Sequence, residues 1–243
     1  MRRISLLMAL LVVAFPICVL ADEQSCGFLL PRPSLDALGP EAKAAWQLAE
    51  TLSAAVPISV GPDGRFLDDQ GQGADLSQFD VLWYHQGDSA ERSTLHKASA
   101  IQTLKAYVAN GGGLFLSGAA LAMVHDLGVE PARPRISGGG QDGYQASITP
   151  LETAHPIFSG LGFQGIFTGS RTIPVTERGY PAFSDFHGSG GPKNGMLLAK
   201  ANAAAENPLV EYALGKGRLI AMGWRLPHYA DANNAHRKSL QRL

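Results

Sequence analysis

Cysteine is nearly missing from this chain, which holds two, Cys18 and Cys26. Cys18 lies in the apolar run Ile4 to Leu20, which follows Arg2-Arg3 and ends in Val19-Leu20-Ala21 before Asp22-Glu23. A basic start, a short apolar stretch and small residues ahead of an acidic pair are the parts of a secretory signal peptide, with Ala21 expected as the last residue removed. Pro16 breaks the run and its length is short for a span, which argues against a retained anchor. Glu23-Gln24-Ser25 ahead of Cys26 is the wrong context for lipid attachment. Cleavage leaves Cys26 alone, which excludes an internal disulfide and a cysteine-based metal site. The chain is therefore expected to be exported, periplasmic or extracellular, and to rely on its core for stability.

Charge is also scarce, at 17% of residues, and it is balanced: 20 basic against 21 acidic side chains, a net charge of −1. Signs this evenly interspersed argue against a nucleic-acid surface. After the leader no run is apolar for long enough to cross a membrane. None of the seven histidines falls in an H-x-H or H-E-x-x-H pattern, so no metal and no cofactor is expected. About 220 residues remain after residue 21, enough for one sizeable domain.

The best-defined stretch runs from Phe79 to Gly128. Val81 to Tyr84 is apolar and turns polar abruptly at His85, Gln86 and Asp88, as a buried strand does on leaving a sheet. Ile101, Leu104, Ala106, Tyr107 and Val108 fall at helical spacing, and Asn110-Gly111 supplies the stop. Leu114 to Leu116 is a second buried strand that exits at Ser117-Gly118. Strand, helix and strand of these lengths make a right-handed parallel crossover. Ligands of such sheets bind outside the carboxyl ends of the strands, which puts His85, Gln86, Asp88 and Ser117 on the functional edge.

Around this unit the spacing predicts a strand at Gly27 to Leu30 and a helix from Asp36 to Val56 with Pro40 near its start. A strand at Ile58 to Val60 follows, then a loop or hairpin through Pro62-Asp63-Gly64. After Gly128, the residues Pro131, Pro134 and Gly138 to Gly140 predict a loop or an irregular insertion. Tyr144 to Thr149, Met196 to Ala199, Pro208 to Ala213 and Arg218 to Met222 read as strands. The last two are joined by Gly215-Lys216-Gly217 into a hairpin at an antiparallel margin. A final helix starts near Ala232, and Leu243 falls inside it, so the chain is expected to be cut short of its natural end.

With FDVLWYHQGD before a helix, AYVANGGGLFLSG as helix, glycine turn and strand, HPIFSGL as a His-Pro turn and GKGRLIAMGW as a late hairpin, the chain resembles the class I glutamine amidotransferase-like superfamily on its ThuA-like, trehalose-utilisation side. The resemblance covers Phe79 to Trp224, least well in the middle third. It implies an α/β, flavodoxin-like three-layer sandwich, mostly parallel with an antiparallel hairpin at one edge, and a role in sugar metabolism. In true amidotransferases a cysteine nucleophile sits in the sharp turn after the strand matching Leu114 to Leu116, and a His and Glu pair follows the last core strand. This chain has Ser117-Gly118-Ala119 at that turn, so glutamine hydrolysis by a thiolate is excluded.

Three constellations remain. Ser117 with His228 and Asp231 is a candidate substitute triad, though Ser117 lacks the flanking glycines of G-x-S-x-G and suits an N-cap of the segment from Ala119. His85, Gln86 and Asp88 suit hydrogen bonds to sugar hydroxyls; His85 and Asp88 could also join His125, His155 or His187 at a metal, against which stands a plain turn at Gly87-Asp88. Trp224-Arg225 suits stacking on a sugar ring and pairing with an anion, or no more than covering the sheet edge. His155 before Pro156 reads as a turn residue, and His125 as a helix-end residue. The expectation is an exported, non-amidotransferase, catalytically silent domain that binds a small-molecule or carbohydrate ligand at His85, Gln86, Asp88, Ser117, Trp224 and Arg225, or serves assembly with a downstream domain or a second copy. The alternative is a carbohydrate-processing enzyme or serine hydrolase using the same cleft.

Overall fold

A computed structural model describes residues 25–31, 33–87, 94–141, 147–164, 171–176, 182–188, 190–201, 206–223, 233 and 235–242. The apolar run Cys26–Leu29 forms β1, and the Pro40–Leu52 segment after it forms α1. This helix is shorter at both ends than its periodicity predicts. Pro40 takes the first helical position, where a missing N–H costs nothing, and the Ser53 N–H closes on Ala49 in an extended cap. β2 (Val56–Val60) and β3 (Phe66–Leu67) make the hairpin expected around Gly64.

The central unit follows as β4 (Val81–Gln86), α2 (Ala98–Ala109) and β5 (Gly113–Gly118). Beyond β5 the helical character is brief: a 3-10 turn over Ala119–Ala122 and one α-turn, α3 (Met123–Asp126). The glycine-rich stretch read as an irregular insertion is instead a strand, β6 (Arg135–Gln141), which pairs antiparallel with β9 (Ala182–Phe186) in a separate small sheet. Glycines contribute no side chain to a sheet, but their N–H and C=O groups still complete a ladder. β7 (Ser147–Pro150), β8 (Ile173–Pro174), β10 (Met196–Ala201), β11 (Leu209–Leu214) and β12 (Gly217–Met222) complete the main sheet, and α4 (Arg237–Arg242) closes the chain.

The main sheet has the order β3-β2-β1-β4-β5-β12-β11-β10-β7-β8. Its centre, β2-β1-β4-β5-β12, is parallel throughout. The hairpin of β12 and β11 is the first step of an antiparallel wing that continues through β10, β7 and β8. The fold is thus an α/β sandwich with helices on both faces of a mixed sheet. On one face Phe28 stacks edge-on against Trp46 of α1 and against Trp83 of β4, at 5.5 and 5.6 Å between centroids. On the other, Leu82, Leu114 and Leu116 bury against Ile101, Leu104 and Val108 of α2. Strands buried on both faces carry near-continuous apolar runs, which is why the centre was legible. Among the described residues no helix is long and apolar enough to cross a membrane.

Candidate functional site

β4 and β5 lie side by side in parallel register, with His85 opposite Ser117 and Gln86 opposite Gly118. Both polar tips therefore reach the carboxyl edge together. Because side chains alternate, Trp83, His85, Phe115 and Ser117 share the face covered by α1, where the Trp83 and Phe115 rings lie 5.1 Å apart.

A continuous hydrogen-bonded chain runs through this face. The Trp83 indole N–H donates to Ser117 Oγ at 2.8 Å. Ser117 Oγ lies 2.9 Å from His85 Nδ1, and His85 Nε2 lies 3.1 Å from Glu41 Oε1. With one proton on the imidazole, the order that satisfies every donor is Ser117 O–H to Nδ1 and Nε2–H to Glu41. Glu41 is the second residue of α1, in the first turn, where the helix dipole favours a carboxylate. Gly87 makes the space: a Cβ there would stand 2.8 Å from Glu41 Oε2.

In sequence of roles this is a hydroxyl, an imidazole and an orienting carboxylate, the arrangement that activates a serine. It is closed to substrate. Ser117 and His85 are both 0% exposed, and the serine oxygen already accepts the indole proton. The sharp turn after β5 falls one residue later, at Gly118, with φ 63° and ψ −139°. A Cβ at that position would lie 2.4 Å from the Gln86 carbonyl oxygen and 2.9 Å from His85 Cε1. A side-chain nucleophile does not fit the turn.

Of the residues singled out from sequence, His85 and Ser117 are thus together, as expected, but they face packed interior and bond each other. In this structure they support the edge instead of offering polar atoms to a ligand. Gln86 is buried beside them. Asp88, Trp224, Arg225, His228 and Asp231 lie outside the described residues. Among the described residues the imidazole that meets Ser117 is His85, and Ser117 caps no helix: the residue preceding the 3-10 turn is Gly118. Sequence reading missed Glu41 and Trp83. The available signal was positional, since the start of α1 follows β1 to the same edge. Cys26 sits at the opposite, amino edge, and burial pushes its thiol up, away from thiolate. His155 is the turn residue it was read as, its Nδ1 accepting the Ile157 N–H at 3.3 Å. His125 Nδ1 meets the Glu130 carbonyl at 3.2 Å.

Two grooves among the described residues lie away from this edge. A groove of about 620 Å³ runs along the amino edge between Asp75, Asp80, Thr103, Tyr107 and Asn110. Burial and the Asp80 charge push the Tyr107 hydroxyl up to about 12, so it stays a donor to the Phe79 carbonyl at 3.0 Å. An apolar groove of about 320 Å³ crosses Val81, Phe115, Ile157 and Ile220. Among the described residues no group of three or more His, Cys, Asp and Glu side chains is placed to hold a metal.

PurLQS from Thermotoga maritima is similar to this chain with a TM-score of 0.55 at 10% identity, over 90% of this chain and 95% of that one. The chain has the class I glutamine amidotransferase-like fold. Cytoplasmic Protein STM1381 from Salmonella typhimurium LT2 gives a TM-score of 0.50 at 14% identity, over 90% and 93% of the two chains. The similar structures also include a putative ThuA-like protein from Parabacteroides merdae ATCC 43184, at 13% identity and a TM-score of 0.47, over 82% and 78%. No protein-family model matches the chain, and no curated protein matches it in sequence. Identities this low speak to fold alone.

Proposed function

We propose that this chain is an exported, ThuA-like domain without hydrolytic chemistry of its own, which binds a small carbohydrate-related ligand or serves assembly with a further domain or a second copy. The observation that carries the silence is the turn after β5. Gly118 has no room for a side chain, and the adjacent Ser117 is sealed and saturated between Trp83 and His85. The ThuA-like reading rests on the sequence motifs around the glycine turn and the His-Pro turn. Export rests on the leader from Arg2 to Ala21.

Four measurements test the reading. Glutaminase turnover and labelling by a fluorophosphonate are both expected to be absent. A thermal-shift panel of sugars should find one that stabilises the protein; a ligand at a hundred times its Kd adds about 2.7 kcal/mol. No shift with any sugar removes the carbohydrate part of the proposal. Export predicts a periplasmic or secreted product beginning at Asp22, and a cytoplasmic product retaining Met1 overturns it.

One observation favours a second reading. The Ser117, His85 and Glu41 order, at 2.9 and 3.1 Å, is that of a serine hydrolase. The same labelling experiment separates the two: adduct on Ser117 that disappears in Ser117→Ala and His85→Ala makes the domain a hydrolase and ends the silent reading.

A further inference from the structure

The apolar groove of about 320 Å³ lies on the α1 face of the sheet, in the amino half of its centre. Strand register defines its floor. Val81, Gly113 and Arg218 form one row across β4, β5 and β12, and Trp83, Phe115 and Ile220 form the next. Gly113 brings no side chain, so the first row is hollow at its middle; a Cβ there would stand 3.4 Å from Val81 Cγ2. α1 packs to one side, where Trp46 meets Phe28, and the His-Pro turn brings Ile157 to the other. Among the described residues neither closes the gap, and Phe115 and Ile220 stay partly exposed at the centre of the sheet. Parallel strands are ordinarily covered on both faces, and an open apolar hollow with a charged rim marks a place of binding.

The charge at that rim selects the occupant. Arg218 is the one charged residue lining the groove, and its side chain is 63% exposed. Its Nε lies 3.3 Å from Glu211 Oε1, while Glu211 Oε2 lies 3.5 Å from His155 Nε2. Glu211 is thus held from two sides, and the η nitrogens of Arg218 meet no described acceptor. The other lining side chains, Val81, Leu114, Phe115, Ile157 and Ile220, carry no polar atom. A sugar would leave hydroxyls unpaired against such walls, and a cation would meet the guanidinium. An apolar body with one anionic end satisfies both parts of the lining.

We propose that this groove binds a small amphipathic carboxylate, an aliphatic or phenylalkyl acid, with its apolar body over Gly113 between Phe115, Ile157 and Ile220 and its carboxylate on the η nitrogens of Arg218. The volume is at the lower end for ligand pockets, which suits one short chain. The site lies in the amino half of the sheet, away from His85 and Ser117, and stands independently of any carbohydrate at the carboxyl edge.

Calorimetric titration of the intact protein with octanoate below its micelle concentration tests this, beside octan-1-ol and octylammonium. Wild type is expected to bind one octanoate saturably, and the alcohol and the amine about fivefold more weakly or worse, the scale of a partly exposed charge pair. Arg218→Gln keeps a stem and a donor and is expected to bind octanoate about fivefold more weakly, with its affinity for octan-1-ol unchanged. Gly113→Ala sets a methyl into the floor and should weaken acid and alcohol alike; if it does not fold, Ile157→Ser reads the opposite wall with the same expectation. No saturable binding in wild type, equal octanoate affinity in Arg218→Gln, or unchanged binding in the floor and wall variants overturns the proposal. A wild-type dimer by light scattering that octanoate leaves intact and Ile157→Ser dissociates would assign the groove to a second copy and overturn it as well.

Discussion

Two buried polar clusters differ in what holds them. The chain Trp83, Ser117, His85 and Glu41 is built on paired parallel strands and the first turn of a 13-residue helix, so the backbone fixes each group before any hydrogen bond forms. In a second cluster Glu130 accepts the backbone N–H groups of Lys193 at 2.7 Å and Asn194 at 3.3 Å, Tyr212 Oη lies 2.7 Å from His187 Nε2, and the Asn207 carboxamide donates to the carbonyls of His187, Gly188 and Gly191. It has one member on a strand, Tyr212, while the others sit in connecting segments. In the first, hydrogen bonds fill a scaffold that exists without them. In the second, the hydrogen bonds are the scaffold. Removing a group should therefore lower global stability at the first cluster and loosen one segment at the second.

The largest effect is expected at the turn that shapes the first cluster. Gly118→Ala forces a Cβ against the Gln86 carbonyl in a left-handed conformation, a loss of about 3–5 kcal/mol from strain and overpacking together. Urea unfolding measures it, and a loss under about 1 kcal/mol would mean that the turn is not under steric control. His85→Leu comes next, at about 3 kcal/mol, because it takes away the imidazole that the enclosed Glu41 carboxylate and Ser117 hydroxyl both bond. Ser117→Ala strands the indole N–H of Trp83 and should cost about 1–2 kcal/mol by the same measurement. If Ser117→Ala costs more than His85→Leu, the imidazole is not the centre of the chain.

Much of the first region was readable in advance, and little of the second. Val81 to Tyr84 and Leu114 to Leu116 announce buried parallel strands because both their faces must be apolar, and the polar residues after them mark the exit. The register that sets His85 against Ser117 follows from two strands of equal length. Glu41 was illegible as a partner, since it lies 44 residues from His85 and only the packing of α1 brings them together. Ser117 was readable as polar but not as sealed, because the turn falls at Gly118 and not at the serine. The second cluster draws on segments whose glycines and prolines carry no periodicity. There the pairing is set by backbone groups, as in the strand from Arg135 to Gln141 that its glycines disguised.

At the second cluster the effect is smaller and depends on pH. His187 is held below 6.5 in the folded protein, so the unfolded chain takes up the proton first as pH falls. The contribution of this group is full above 6.5 and declines as pH drops from there toward the lower folded value. His187→Gln should flatten that decline in urea midpoints between about pH 7 and about pH 5. An unaltered slope would place the acid sensitivity elsewhere.

The smallest effect isolates burial from hydrogen-bond number. Asp80 accepts two hydrogen bonds from Ser25, the backbone N–H at 2.9 Å and the hydroxyl at 3.0 Å, as many as Glu130 accepts from Lys193 and Asn194. Those bonds hold its carboxyl below the usual range, so their contribution is present above 3.8 and lost as pH falls through the lower folded value. Asp80 is exposed and water can replace either donor, whereas Glu130 is enclosed. Glu130→Gln is expected to cost about 1 kcal/mol, since the amide nitrogen cannot accept from one of the two backbone N–H donors held out of water's reach. Asp80→Asn should leave the urea midpoint at neutral pH unchanged within error. Equal losses at the two sites would mean that solvent exclusion is not what makes the second cluster matter, and that its backbone donors alone set the stability of the segment they hold.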